Sequence, residues 1–253
     1  MPGPIQAIER AAAILRVLAR GSGRLGLSEI AASLDLPKGT AHGILRTLHG
    51  VGFVEQDQST GRYRLGAALV HLGSSYLDAN ELRSRAINWA DALAARSGEA
   101  VRIGMPLDGS VLVVHHVFRP DDTPQTLDIG AMLPLHATAL GKVLLAYDAD
   151  LTATIRRREL ASLTRRTIVK PAALERVLAE VRSMGWAAEA EESMPGEASI
   201  AAPIRAHGGL IQGAIGISGA VERVCDATHR PKPVLVDQVR DAARAVSRDL
   251  GTP

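Results

Sequence analysis

Cysteine is almost absent from this chain of 253 residues, in which Cys225 stands alone. A single cysteine excludes a disulfide framework and a cysteine-based zinc site. Aromatic residues make up 3% of the chain, so few side chains could stack on the bases of single-stranded nucleic acid. Apolar runs are shorter than the roughly 18 residues that a membrane helix needs. Because charged residues also interrupt the first apolar stretch, we expect a cytoplasmic protein with no membrane partner.

Charge of one sign does not dominate either, because the formal net charge is +2. The distribution is uneven: residues 1–75 contain eight Lys or Arg and five Asp or Glu, while the remainder is close to neutral. A basic excess at one end is a weak indication of a nucleic-acid partner there. An ordinary solvated surface explains these charges equally well.

Three short helical patterns open the chain. The first covers residues 6–19, and the second begins at Ser28, a residue type that is favoured as a helix N-cap. Pro37 suits the start of a helix, so the third helix follows it directly, at 38–48. The intervening segment 21–26 matches the G-x-G-x-x-G pattern of dinucleotide-binding proteins, but it follows a helix and not a strand. We therefore predict a flexible connection there.

The third helix contains two glycines that its apolar pattern does not require. Gly39 and Gly43 each cost about 1 kcal/mol relative to Ala in a helix interior. Ile44, Leu45 and Leu48 nevertheless keep the spacing of a helix that packs one face on a core. Glycine would let the helix backbone come close to DNA or to a neighbouring helix.

A basic β-hairpin is predicted directly after this helix, with strands at 52–57 and 62–66. Three helices followed by a hairpin form a winged helix-turn-helix, whose third helix lies in the DNA major groove. Basic and polar side chains of such a helix bind phosphates and base edges. The alternative is an ordinary surface helix. The candidate contacts with double-stranded operator DNA are Lys38, Gly39, Thr40, His42, Gly43, Arg46, Arg62 and Arg64.

The remaining residues predict an α+β fold, in which helices cover an antiparallel sheet. Helices are predicted at 66–79, 81–98, 139–147, 171–184 and 234–250, and strands at 100–105, 110–118, 126–130, 198–206 and 210–220. The expected organisation is a DNA-binding domain at 1–65, a linker helix at 66–79 and a second domain at 80–253.

Catalytic and metal-binding patterns are weak in this second domain. His115 and His116 are neighbours on one strand, so their rings face opposite sides of the sheet and cannot share a metal ion. His136 has no recognisable nucleophile or orienting carboxylate beside it. The three acids of 189–192 could form a pair for acid–base catalysis, although solvated acids of a strand or loop are commoner. We therefore expect no enzyme activity, no cofactor and no metal ion.

A ligand pocket is better supported than an active site. Thr138 can cap the helix that begins at Ala139, and the free N–H groups at a helix start favour an anion. Gly216 and Ser218 are two residues apart on one strand, so they face the same side of the sheet, and Ser199 lies on the neighbouring strand. Plain packing of the sheet is the alternative explanation for these small residues.

Three stretches of the sequence resemble the isocitrate lyase regulator (IclR) family of bacterial transcription factors. They are LSEIAASLDLPKGTAHGILRTLHGVGFVEQDQSTGRYRLG at 27–66, LPLHATALGKVLLAY at 133–147 and EAEESMPGEASIAAPIRAHGGLIQGAIGISGA at 189–220. Within the family, KGTAHGILRTL, GFVEQD and VVHHVFRPDD are most similar to regulators of the glycerol operon of actinomycetes. The resemblance implies a winged helix-turn-helix domain followed by a GAF-like effector-binding domain.

The resemblance also implies which residues hold a small organic acid. They are Ala139 and Leu140 through their backbone N–H groups, together with Glu189, Ser199, Gly216 and Ser218. Three of them depart from the common pattern, since Ser199 replaces a Cys, Gly216 a Ser and Glu189 an Asp. The missing hydroxyl at 216 is expected to enlarge the site and to favour a bulkier anion such as glycerol 3-phosphate. Its phosphate would lie at the helix start.

The expected function is that of a homo-oligomeric transcriptional regulator, either a dimer or a tetramer, that acts as a repressor. A small anionic metabolite would control its binding to operator DNA. The alternative is a metabolite-binding enzyme with a vestigial DNA-binding domain.

Overall fold

A computed structural model describes residues 3–19 and 23–251 of the chain. Contacts divide it into two units, Met1–Ala79 and Asn80–Pro253. Within the described residues, no helix is long and apolar enough to cross a membrane.

The first unit has the predicted order of helices and hairpin. Its elements are α1 Gln6–Leu18, α2 Leu27–Ser33, α3 Lys38–Gly50, β1 Val54–Gln56, β2 Tyr63–Leu65 and α4 Ala68–Ala79. The apolar faces of α1, α2 and α3 meet in one core that includes Ile14, Ile30 and Leu45. Burial of such side chains is the main stabilising contribution to a small unit of this kind. β1 and β2 pair antiparallel, which confirms the hairpin.

Two local expectations are wrong in this unit. Ser28 does not cap α2, because the helix begins at Leu27 and the Glu29 carboxylate accepts a hydrogen bond from Gly26 N at 2.6 Å. The acidic side chain in the first turn takes over the capping. The connection at 21–26 is only partly among the described residues. At Leu25 it is not flexible, because this residue is bound to the hairpin. Backbone hydrogen bonds of 3.0 and 2.8 Å join this residue to Tyr63 of the hairpin.

The second unit is built on a six-stranded antiparallel sheet, and the predicted α+β class is confirmed. The strands are β3 Ala100–Leu107, β4 Ser110–Val117, β5 Met132–Leu133, β6 Ala187–Ala190, β7 Glu197–Arg205 and β8 Ile211–Ala220, in the spatial order β5-β4-β3-β8-β7-β6. The helices are α5 Glu81–Ser97, α6 Ala139–Tyr147, α7 Ala149–Arg156, α8 Pro171–Met184, α9 Val221–Val224 and α10 Pro233–Gly251.

Alternation along the strands separates two apolar layers. Ala201 of β7 and Ala214 of β8 pack in one cluster with α6, α7 and α8. Ala202, the next residue of β7, faces the side on which α10 lies. Gly98 and Gly185 end α5 and α8 in the left-handed conformation, with φ of 70° and 78°, as predicted. The sheet therefore lies between two helical layers.

The strand predicted at 126–130 is wrong. The chain turns there, because Ala131 N donates to Asp128 O at 2.8 Å and Gly130 has a φ of 85° that L residues rarely adopt. The strand beside β4 at this edge of the sheet is β5 instead, which pairs with Val111 and Leu112. The sequence-based elements also omit α7, β6 and α9.

Candidate DNA-binding helix and ligand pocket

Helix α3 buries one face and exposes the other. Ala41, Leu45 and Leu48 are buried against the rest of the first unit. The predicted contact residues lie on the remaining surface: Lys38, Gly39, His42 and Arg46 are exposed, and Thr40 and Gly43 are half-buried. The structure thus brings six of the predicted residues to one accessible side of the helix.

Packing within the chain does not account for the two glycines of α3. A Cβ atom built at Gly39 or Gly43 would meet no other heavy atom within 4 Å among the described residues. The expectation that they allow close approach to a neighbouring helix is therefore wrong. Two explanations remain: close approach of a molecule outside the chain, or an ordinary surface helix.

The basic residues of this unit differ in their partners. Arg64 of β2 donates through Nε and Nη2 to Glu55 Oε2 at 2.9 and 2.7 Å, and this hydrogen bond lowers the pKa of Glu55. Arg62 donates to the Arg24 carbonyl at 3.0 Å. The side chains of Lys38 and Arg46, by contrast, make no hydrogen bond or ion pair with any described residue. These two side chains of α3 could therefore contact phosphates without first breaking an existing contact.

The second unit contains a pocket of about 170 Å³ between the start of α6 and strands β3, β7 and β8. All six residues that the sequence proposed for an effector line this one pocket: Ala139, Leu140, Glu189, Ser199, Gly216 and Ser218. This volume is smaller than the roughly 300–1,000 Å³ of most ligand pockets, so a ligand of few atoms fits best.

The start of α6 is arranged as the sequence predicted. Thr138 Oγ1 accepts a hydrogen bond from Gly141 N at 3.2 Å and donates to Pro134 O at 2.7 Å. The N–H of Ala139 points into the pocket wall at Ser199 Oγ, 3.4 Å away. Ser199 lies on β7, so the packing of α6 against the sheet sets the distance between Ala139 N and Ser199 Oγ.

Glu189 is not a solvated acid, which corrects the commoner interpretation for this one of the three acids of 189–192. Glu189 is 6% exposed. Its two oxygens accept hydrogen bonds from Ser199 Oγ at 2.7 Å and from Glu192 N at 2.9 Å. Burial raises the pKa of Glu189 and outweighs these hydrogen bonds. A buried carboxyl with hydroxyl and N–H partners is suited to binding a ligand hydroxyl.

Three charged residues of the pocket, Arg102, Asp128 and Glu197, were missed by sequence reasoning. Arg102 of β3 donates to Ser218 Oγ at 2.5 Å and to Asp128 Oδ2 at 2.7 Å. The available signal was one arginine inside the otherwise apolar strand AVRIGM. Ser193, Met194 and Glu197 complete this side of the wall.

Gly216 does not enlarge the pocket in the way that the sequence indicated. A Cβ atom at this position would lie 2.5 Å from Ile200 O and 2.9 Å from the Ala201 Cβ atom, both on β7. The close approach of the neighbouring strand therefore requires glycine here, and a serine would need that strand to move.

The histidines lie on the strand and in the loop where the sequence predicted them. His115 and His116 are successive residues of β4, and His116 Nδ1 accepts a hydrogen bond from Asp128 N at 3.1 Å. His136 Nε2 lies 2.9 Å from the Ala161 carbonyl. No group of three or more His, Cys, Asp or Glu side chains could hold a metal ion within the described part of the chain.

Two family models match the sequence. The IclR helix-turn-helix domain matches residues 7–58, and the C-terminal domain of the bacterial transcriptional regulator IclR matches residues 74–248.

Whole proteins match over almost their full lengths. The glycerol operon regulatory protein of Streptomyces coelicolor is 57% identical and that of Streptomyces griseus 54%, each over 98% of this chain and 97% of the relative. The crystal structure of an IclR transcriptional regulator from Alicyclobacillus acidocaldarius is similar with a TM-score of 0.85 and 26% identity, over 98% of this chain and 100% of that one.

Proposed function

Because the chain belongs to the IclR family of bacterial transcriptional regulators, we propose that its first unit binds double-stranded operator DNA and that a small anionic metabolite in the second unit controls this binding. The family and the relatives are transcriptional regulators, so the prediction of a regulator over an enzyme is confirmed. The observation that carries the proposal for the effector is the convergence of six sequence-predicted residues on one pocket.

Helix α3 is the proposed recognition helix. Its exposed cations would bind phosphates, and its exposed polar residues would contact base edges. The two glycines leave the backbone uncovered on the side that would enter the major groove. Arg62 and Arg64 of the hairpin would contact the flanking backbone as part of the wing.

Glycerol 3-phosphate is the proposed effector. The relatives from Streptomyces are named for the glycerol operon, and the pocket offers hydrogen-bond donors of both the backbone and side chains. The domain limits 1–65, 66–79 and 80–253 belong to the same proposal.

A homo-oligomer, either a dimer or a tetramer, is part of the proposal, with repression as its mode of action. One winged helix reads only a short half-site, so two copies would be needed for a specific operator. On helix α4, Val70 and Leu72 are more than half exposed and Tyr76 is nearly half exposed. Contact with a second copy would remove this apolar surface from water.

Fluorescence anisotropy with labelled DNA from upstream of the protein's own gene tests the proposal. We expect specific binding that a scrambled DNA of equal length does not show, and release or tightening of that DNA when glycerol 3-phosphate is added. Equal affinity for both DNAs would contradict the DNA-binding part. Unchanged operator affinity at saturating glycerol 3-phosphate would contradict the choice of effector.

A further inference from the structure

The start of α6 is a poorer place for an anion than its N–H groups suggest. Ala139 N points at Ser199 Oγ at 3.4 Å, and that hydroxyl donates to the Glu189 carboxylate at 2.7 Å. A phosphate at this position would lie one hydroxyl group away from a buried carboxylate. Hydroxyl groups of a ligand suit this end better, because a carboxylate accepts hydrogen bonds from them.

Arg102 supplies a positive charge at the other end of the pocket. It lies opposite Gly216 of β8 in the sheet, and its Nη1 donates to Ser218 Oγ at 2.5 Å. Asp128 holds the guanidinium group through Nε and Nη2 at 2.7 and 2.6 Å. The side chains of Arg102 and Asp128 are each 23% exposed, so solvent screens this charge less than it would at the surface.

A second cavity of about 550 Å³ adjoins the pocket at Arg102. The two cavities share Arg102, Asp128, Met194, Glu197 and Ser218 in their walls. Arg119 and Arg223 add two guanidinium groups to the outer cavity, where Asp121 and Glu99 pair with them. An anion at the junction would lie beside Arg102 and would have room toward the outer cavity, although the carboxylates of Asp128 and Glu197 lie in the same wall.

We propose that Arg102 and Ser218 receive the anionic group of the effector. The hydroxyl groups of the effector then lie against Ser199, Glu189 and the start of α6. This orientation rests on the proposed function and reverses the one expected from the sequence. Ser218 Oγ accepts a hydrogen bond from Arg102, so its own proton is available to an oxygen of the anion. The class of effector that fits is a short polyol with a phosphate or carboxylate at one end.

Titration calorimetry of the full chain tests this with four probes: glycerol 3-phosphate, D-glycerate, inorganic phosphate and glycerol. Arg102→Gln should weaken the binding of glycerol 3-phosphate by about 10- to 100-fold, the effect of losing a hydrogen bond to a charged group. The affinity for glycerol should change far less. Arg102→Lys, which keeps the charge but loses the planar fork, should give an intermediate loss. Glu189→Gln should weaken glycerol and glycerol 3-phosphate alike.

Arg244→Gln is the matched control, because Arg244 of α10 also pairs with an aspartate, Asp241, but lies outside both cavities. It should bind all four probes like the parent chain. If Arg102→Gln does not fold, Arg102→Lys and Ser218→Ala provide the same comparison. Equal losses for glycerol and glycerol 3-phosphate would overturn the inference, and so would a parent chain that binds none of the anionic probes. The operator titration decides separately whether the proposed DNA-binding function holds.

Discussion

Lys142 Nζ lies 2.5 Å from Glu192 Oε1, and this ion pair joins the interior of α6 to the loop after β6. The lysine side chain is 1% exposed, and burial raises the pKa of Glu192 despite the neighbouring ammonium group. Lys142 Nζ also donates to Ala188 O at 3.3 Å. The same loop supplies Ser193 and Met194 to the ligand pocket. The buried pair therefore positions one wall of that pocket.

Lys142→Met should destabilise the second unit by about 3–5 kcal/mol, because it leaves Glu192 buried without its counter-ion. Adding Glu192→Gln should restore most of this loss by removing the stranded charge. Urea unfolding of the parent, the single variant and the double variant measures both effects. Arg85→Ala is the control: it removes an exposed pair with Glu81 of α5 and should cost at most about 1 kcal/mol. Equal losses in the single and double variants would contradict this account.

The buried Glu189 predicts a dependence of stability on pH. Because burial raises its pKa, the folded protein holds this proton more tightly than the unfolded chain does. Its contribution to stability is therefore fully present below the ordinary pKa of about 4.3 and is lost as the pH rises through the folded-state pKa. Glu189→Gln cannot ionise, so its stability relative to the parent should increase as the pH rises from about 4.5 toward neutrality.

Urea unfolding of the parent and Glu189→Gln across this pH range checks the slope. Glu175→Gln is the control, since the hydrogen bond from Arg156 lowers the pKa of Glu175. A carboxyl group with a lowered pKa stabilises the folded protein at pH values above its ordinary pKa, and this stabilisation is lost as the pH falls. For Glu175 the effect should be small, because the side chain is exposed to solvent. A stability difference between Glu189→Gln and the parent that does not change with pH would show that Glu189 titrates normally.

The sequence predicted the elements whose signals are local. Gly98 and Gly185 stop their helices in the left-handed conformation, and Asp108 and Gly109 turn the β3–β4 hairpin with positive φ at both positions. The strand β6 has no such signal, because its sequence AAEA is poor in strand-forming residues. It is a strand only because it pairs with β7.

The ligand pocket shows the same limit. Its six proposed residues could be named from motifs, but the charge at its other end could not. Arg102 and Ser218 are 116 positions apart, and only the pairing of β3 with β8 brings them together. A glycine in a strand pattern, such as Gly216, likewise gives no information on whether the missing side chain leaves a space or makes room for a neighbouring strand.

Gly216→Ser should destabilise the second unit by about 1–3 kcal/mol, the usual cost of overpacking. The new Cβ atom would lie 2.5 Å from Ile200 O, so β7 would have to move. Gly216→Ala should cost nearly as much, because the clash comes from the Cβ atom and not from the hydroxyl. Urea unfolding of the two variants checks this. If Gly216→Ser were as stable as the parent and preferred small acids more strongly, the serine would be filling open space in the pocket, and the explanation by strand packing would be wrong.

Gly43→Gln should keep or raise the stability of the first unit while it weakens operator binding. The side chain would enter open space, since a Cβ atom there meets nothing within 4 Å among the described residues, and glutamine is a better helix former than glycine by up to about 1 kcal/mol. If α3 lies in the major groove, the same side chain separates the backbone from DNA. We expect operator affinity to fall by about tenfold or more, equivalent to about 1.4 kcal/mol.

Gly50→Gln makes the same change at the last residue of α3, where a Cβ atom also meets nothing within 4 Å. It should leave operator affinity close to that of the parent, because the N-terminal part of a recognition helix contacts the bases. Anisotropy titrations at one fixed salt concentration compare the three proteins, since phosphate contacts make affinity depend on salt. Thermal unfolding confirms that each variant is folded. If Gly43→Gln bound operator as tightly as Gly50→Gln, the backbone of α3 would not approach DNA at Gly43, and the glycine would need another explanation.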